Sequence, residues 1–133
     1  KKAKIIDAVA AVRSAMNGGI IDGGGVALML ASQKLDHTIP GELILGNAIQ
    51  KPFAQIMENA DIDADKVSAR VLASGEGMNI ETEEFGNMIK MGIIDPANVV
   101  KATVLNSVSS ALMIANCGGA ISLIREKNKS KEE

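Results

Sequence analysis

Thr82-Glu83-Glu84-Phe85-Gly86-Asn87-Met88-Ile89-Lys90-Met91-Gly92-Ile93-Ile94-Asp95-Pro96 carries the strongest helix punctuation in the sequence. Thr82 reads as an N-cap, residues 83–91 as a short helix, and Gly92 as its stop. Asp95-Pro96 reads as a cap followed by proline in the first turn, which starts a long helix holding Val100, Val104, Val108, Ala111 and Leu112. Past Gly118-Gly119, residues 120–124 are strand-like in propensity, and a charged, frayed tail is expected after them. A lone strand leaves backbone groups unsatisfied. Its partner is expected in the Met78 region, in further chain, or in another subunit.

Working toward the amino terminus, residues 75–79 suit a turn or hairpin loop. Before them a helix starting near Asp61 or Asp63 turns Val67, Val71 and Leu72 inward and ends at Ser74-Gly75. A helix over residues 42–59 faces the core with Leu45, Ile49, Phe53 and Ile56, and Pro52 is expected to bend it. Residues 36–41, with Pro40, read as a loop. Residues 26–35 form an almost wholly apolar helix that reads as buried, preceded by Gly23-Gly24-Gly25 and the extended link Ile20-Ile21-Asp22. In the first helix Ile5, Val9, Val12 and Met16 recur at helical spacing opposite Lys4, Asp7 and Arg13, and Asn17-Gly18-Gly19 ends it. The fold class is therefore mainly α: a bundle of five to six helices, a short β-hairpin or loop near residues 73–81, and a C-terminal strand.

A length of 133 residues fits one domain. Hydrophobic residues at 47% against 23% charged exclude intrinsic disorder, and 2% aromatics force an aliphatic core. No unbroken apolar run approaches the roughly 18–20 residues that span a bilayer, and no signal-peptide h-region opens the chain, so no membrane partner is expected. A net charge of −2 gives no electrostatic footprint for nucleic acid. Cys117, the single cysteine, cannot form an internal disulfide, which is compatible with a reducing compartment. The chain opens on Lys1-Lys2-Ala3-Lys4 without a methionine and is expected to be a piece of something longer.

The remaining motifs divide between chemistry and structure. Asp61-Ile62-Asp63-Ala64-Asp65 imitates a calcium loop, but Lys66 and Leu72 stand where glycine and glutamate are required, so the acids serve a helix start. His37 is the only histidine and sits in a polar loop, so neither a zinc site nor a Ser-His-Asp arrangement assembles. Cys117, in a glycine-rich turn, is expected half-buried without a neighbouring base. Gly23-Gly24-Gly25 either lets backbone approach a ligand and offers amides to an anion, or permits close helix packing. It is neither a Walker nor a dinucleotide motif, and both readings stay open. Asp95 suits an N-cap and equally a carboxylate for ribose hydroxyls. Asp7 suits the helix dipole, and could position a water beside a phosphate.

Taken together, residues 82–96, Gly23-Gly24-Gly25-Val26-Ala27-Leu28, and Asp7-Ala8 followed by Val12-Arg13 resemble the group I chaperonins, the GroEL type. The resemblance covers about residues 2–117 and keeps order and approximate spacing. It implies that residues 1–125 are the C-terminal, ATP-binding part of an equatorial domain, with residues 126–133 a charged tail. It implies that Gly24 lies against the nucleotide's ribose and base, that Asn79 edges the adenine pocket beside Ile80 and Glu81, and that Asp95 binds the ribose hydroxyls. Gly23 and Gly25 become candidates for backbone contacts, and Asp7 the catalytic acid that aligns the attacking water. Ile80 and Glu81 depart from the small residues of the family pattern. ATP with Mg²⁺ is the implied cofactor, with no metal ligand assigned in this segment. Identical subunits in a ring, a co-chaperonin lid and unfolded client polypeptides are the implied partners, in a bacterial cytoplasm or an organelle matrix. The competing expectation is a helical structural or interaction module without catalysis.

Overall fold

The computed structural model describes residues 2–119, and the strand expected at 120–124 and the tail at 126–133 lie outside them. Six helices and four short strands are present among these residues. Helix α1, Lys2–Gly18, ends where Gly19 turns left-handed and donates its N–H to the Ala15 carbonyl at 2.9 Å. Strand β1, Ile20–Asp22, follows, and Gly23-Gly24-Gly25 turns the chain into α2, Val26–Ser32. This helix is three residues shorter than its apolar run, because Lys34 and Leu35 donate in 3₁₀-like turns to Ala31 and Ser32.

Pro40 is not a loop residue. It opens α3, Pro40–Ile49, from a first-turn position where its missing N–H is harmless. Pro52 takes a similar place in α4, Lys51–Glu58, so the expected bend is a break at Gln50. Gln50 stays there by donating its side-chain amide to Ser32 Oγ at 3.0 Å, while that buried hydroxyl donates to the Met29 carbonyl at 2.7 Å. Helix α5, Ala64–Ser74, is capped by Asp63, whose Oδ1 accepts from the amides of Asp65 and Lys66, and it ends at left-handed Gly75.

The expected helix over residues 83–91 does not form. Strand β2, Gly77–Met78, pairs antiparallel with β3, Phe85–Gly86, with Met78 opposite Phe85. The hairpin reverses through Glu83 at φ 56°, a left-handed conformation incompatible with a helix at that point. Arg70 covers Phe85 at 3.7 Å from the ring centroid, and Met88 is buried against Val26 and Gly77. These tertiary contacts outweigh the local helix signal, and residues 87–92 close only as turns, with Lys90 N–H on Asn87 Oδ1 and Gly92 N–H on the Ile89 carbonyl. Met78 thus has its partner within the described residues.

Strand β4, Ile94–Pro96, pairs antiparallel with β1, placing Asp95 opposite Ile21. Asp95 is therefore not an N-cap. Pro96 occupies that position without a side-chain bond, and α6 runs Ala97–Ala115. Val26, Met29, Phe53, Met57, Val67, Val71, Met78 and Met88 form the core, with Phe53 fully buried at its centre.

The expected inward face of α1 lies open instead: Ile5, Val9, Val12 and Met16 are 65%, 54%, 61% and 82% exposed. On α6, Val108 and Leu112 are exposed too. The two long helices pack on each other and on β4, leaving the rest of their apolar surface without cover among the described residues. Although its sequence is punctuated by Asn98, Lys101 and Asn106, α6 is long and apolar enough to cross a membrane by length and composition. Cys117 is exposed rather than half-buried, since α6 ends beside it and nothing among the described residues packs over the turn.

Candidate functional site

The glycine run resolves residue by residue. A Cβ on Gly23 would stand 3.0 Å from the Ile93 carbonyl group and the Ile94 nitrogen, and one on Gly25 would stand 3.0 Å from the Phe53 backbone. Both positions are occupied by packing. Gly23 also donates its N–H to the Ile93 carbonyl at 3.0 Å, extending the β1–β4 ladder. A Cβ on Gly24, at φ +64°, would meet only the Met88 methyl, at 3.4 Å, among the described residues, and Gly24 lines a cavity. Close packing thus accounts for Gly23 and Gly25, while Gly24 alone borders open space.

That cavity, about 550 Å³, is lined by Gly24, Asn79, Ile80 and Glu81 together with methionines 57, 78, 88 and 91 and Ile93. Residues 79–81 form the loop of the β2–β3 hairpin, which packs on α5 with Arg70 over Phe85 and is closed by Asn79 N–H on the Glu84 carbonyl at 2.9 Å. Asn79 Oδ1 accepts the Glu81 N–H at 3.0 Å, a local turn that holds the side chain in place and leaves its amide NH₂ and a second oxygen lone pair free of bonds among the described residues. The walls are thioether and aliphatic, with polar groups confined to the 79–81 edge. Soft, polarisable methionine walls suit the faces of a flat heteroaromatic ring, and a few edge donors and acceptors fix its orientation.

Asp95, half-buried, does not line this cavity, but the ladder brings it to the same end: Ile94 pairs with Asp22, immediately before the glycines. Asp7 stands elsewhere. It is exposed on α1, eleven residues before that helix ends, a rise of about 16 Å. The structure thus gathers Gly24, Asn79, Ile80 and Glu81, sets Asp95 alongside, and keeps Asp7 apart. Among the described residues no three His, Cys, Asp or Glu side chains converge as a metal site.

Sequence reasoning missed the methionine walls. Met88 and Met91, three apart within the segment already singled out, were the available signal, but the helix assigned there would have given them a different setting. Met57 and Met78 come from α4 and β2, and only the tertiary fold brings them together.

The sequence profile of the TCP-1/cpn60 chaperonin family matches residues 1–122. Chaperonin GroEL 1 of Corynebacterium diphtheriae is 40% identical over 125 residues, covering 86% of this chain and 23% of that protein. The chain thus spans about a quarter of the length of this curated relative.

Proposed function

This chain belongs to the TCP-1/cpn60 chaperonin family, and we propose that it is the C-terminal equatorial segment of an ATP-driven folding chaperonin. The observation that carries the reading is the shared cavity of Gly24 and residues 79–81. A cavity of about 550 Å³ is ample for a purine and its sugar. Apolar walls receive the base, Gly24 lets the backbone approach it without a Cβ in the way, and Asn79 orients the base edge. Asp95, beside the glycine turn, accepts the paired ribose hydroxyls.

Asp7 acts from a different element. Its role is to orient a water in line with the γ-phosphate, which requires α1 and the nucleotide to approach each other when the intact subunit closes. Asp7 alone does not make a magnesium site, so no step is assigned to a metal here. Ring neighbours, a co-chaperonin lid, client polypeptides and a cytoplasmic or organelle-matrix setting belong to the same proposal for the intact protein.

The competing reading is a helical structural module that has lost catalysis, favoured by the separation of Asp7 from the cavity and by the bulk and charge of Ile80 and Glu81. Calorimetric titration of the full-length protein with ATP–Mg²⁺, coupled to a phosphate-release assay, separates the two. Binding heat with steady phosphate release is expected. Absence of both would end the ATPase reading.

A further inference from the structure

Arg70 lies in the second half of α5, and its guanidinium stands 3.7 Å from the centroid of the Phe85 ring. Among the described residues it makes no salt bridge. Phe85 is directly opposite Met78 in the β2–β3 ladder, so the two side chains share one face of the hairpin. Met78 is buried and lines the cavity. An exposed cation is thereby stacked on a ring whose ladder partner is a wall of the candidate site.

The hairpin needs such a hold. Each of its strands is two residues long, and a two-stranded ribbon is marginal in water by itself. Its loop supplies residues 79–81 to the cavity and turns through Glu83 in the left-handed conformation, which is costly for an L-residue. The loop is closed from within only by Asn79 N–H on the Glu84 carbonyl and Glu81 N–H on Asn79 Oδ1. A guanidinium over an aromatic face adds attraction from outside the ladder. Helix α5 is a firm base for it, capped at Asp63 and with Val67 and Val71 in the core.

We propose that Arg70 is a positioning residue for the nucleotide site: through Phe85 it keeps the hairpin loop closed, so that residues 79–81 meet the base already ordered. Arg70 itself touches no substrate. The inference rests on the nucleotide reading above and deepens it. Without the stack, binding has to order the loop, and apparent affinity falls with the fraction of molecules whose loop is closed. An exposed cation–π contact corresponds to a factor of about three in that closing equilibrium. Turnover at saturating ATP is unaffected, because the loop serves the base and not the γ-phosphate.

The test uses the full-length protein as wild type, Arg70→Ala, Arg70→Gln, Arg70→Lys, Phe85→Leu and the double variant Arg70→Gln with Phe85→Leu. Alanine, glutamine and lysine are all good helix formers, so α5 keeps its propensity. Amide hydrogen exchange at residues 79–81, measured without nucleotide, should quicken about threefold for Arg70→Ala and Arg70→Gln, and lysine should restore much of the protection. In the same alanine and glutamine variants the ATP–Mg²⁺ dissociation constant should rise about twofold with kcat unchanged. In the Phe85→Leu background Arg70→Gln should add nothing. Unchanged exchange, or a glutamine variant equal to wild type, overturns the stack as the hold on the loop. Faster exchange with unchanged ATP affinity overturns the link to the site. A loss that persists without Phe85 overturns it too, since the charge then acts on the phosphates directly. In each of those cases the ATP site stands. If wild type binds no ATP, the nucleotide reading fails and this inference fails with it.

Discussion

Gly25 and Gly41 are both glycines next to or within a helix, and the same substitution should act on them in opposite directions. At Gly25, φ is +80° and a Cβ would meet the Phe53 backbone at 3.0 Å. The left-handed conformation alone disfavours an L-residue by about 1–2 kcal/mol, and the contact adds to it. At Gly41 in α3 a Cβ meets nothing within 4 Å. Alanine there is favoured by about 0.5–1 kcal/mol. Urea midpoints should fall for Gly25→Ala and rise for Gly41→Ala, and equal shifts would contradict the packing described. For Asp7 the expected separation is kinetic. In the full-length protein Asp7→Ala should slow phosphate release about a hundredfold or more, a loss of ~3 kcal/mol of barrier lowering, with ATP affinity kept. Parallel losses of affinity and turnover would make Asp7 structural.

Helix α5 shows how one cap couples an element to pH. The Lys66 ammonium, 3.2 Å from Asp63 Oδ2, and the amides of Lys66 and Asp65 hold the Asp63 carboxyl below its ordinary value of 3.8. The charged form is favoured in the folded chain, so its contribution is complete above the unfolded value and lost as pH falls through the folded one. Asp63→Asn keeps an accepting oxygen but removes the titration. The stability gap between wild type and Asp63→Asn should accordingly narrow as pH drops from about 5 to about 3, read from chemical denaturation at each pH. A gap that widens would reverse the assigned sign. Elements with their own punctuation, such as α5 between Asp63 and Gly75, were legible residue by residue. The hairpin was not, because Thr82 and Gly92 mimic helix ends while Phe85 and Met88 answer to Arg70, Val26 and Gly77, distant in sequence.

At the scale of the whole molecule, α1 and α6 expose apolar rows that amphipathic periodicity assigns to an interior. Contiguous apolar surface of this kind drives association in water. Sedimentation of the purified 133-residue chain should show self-association that weakens when Val12 and Leu112 are both replaced by lysine. A monodisperse wild-type monomer would show that these faces are tolerated exposed. The cavity also belongs to this scale, since α4, β2 with its hairpin loop, the turns of residues 87–93 and the glycine turn each lend it a wall.

From residue order alone came the helical class, several helix ends, a disturbance near Pro52 and the family, because capping, proline geometry and a long specific segment act locally or by pattern. The disturbance, expected as a bend, is a break at Gln50. Only the folded chain decided that Gly24 opens on a cavity while its two neighbours are packed shut. It alone also put Asp95 in a strand, and Met57, Met78, Met88 and Met91 around one space. Those outcomes depend on which distant surfaces meet, and no spacing along a chain encodes that by itself.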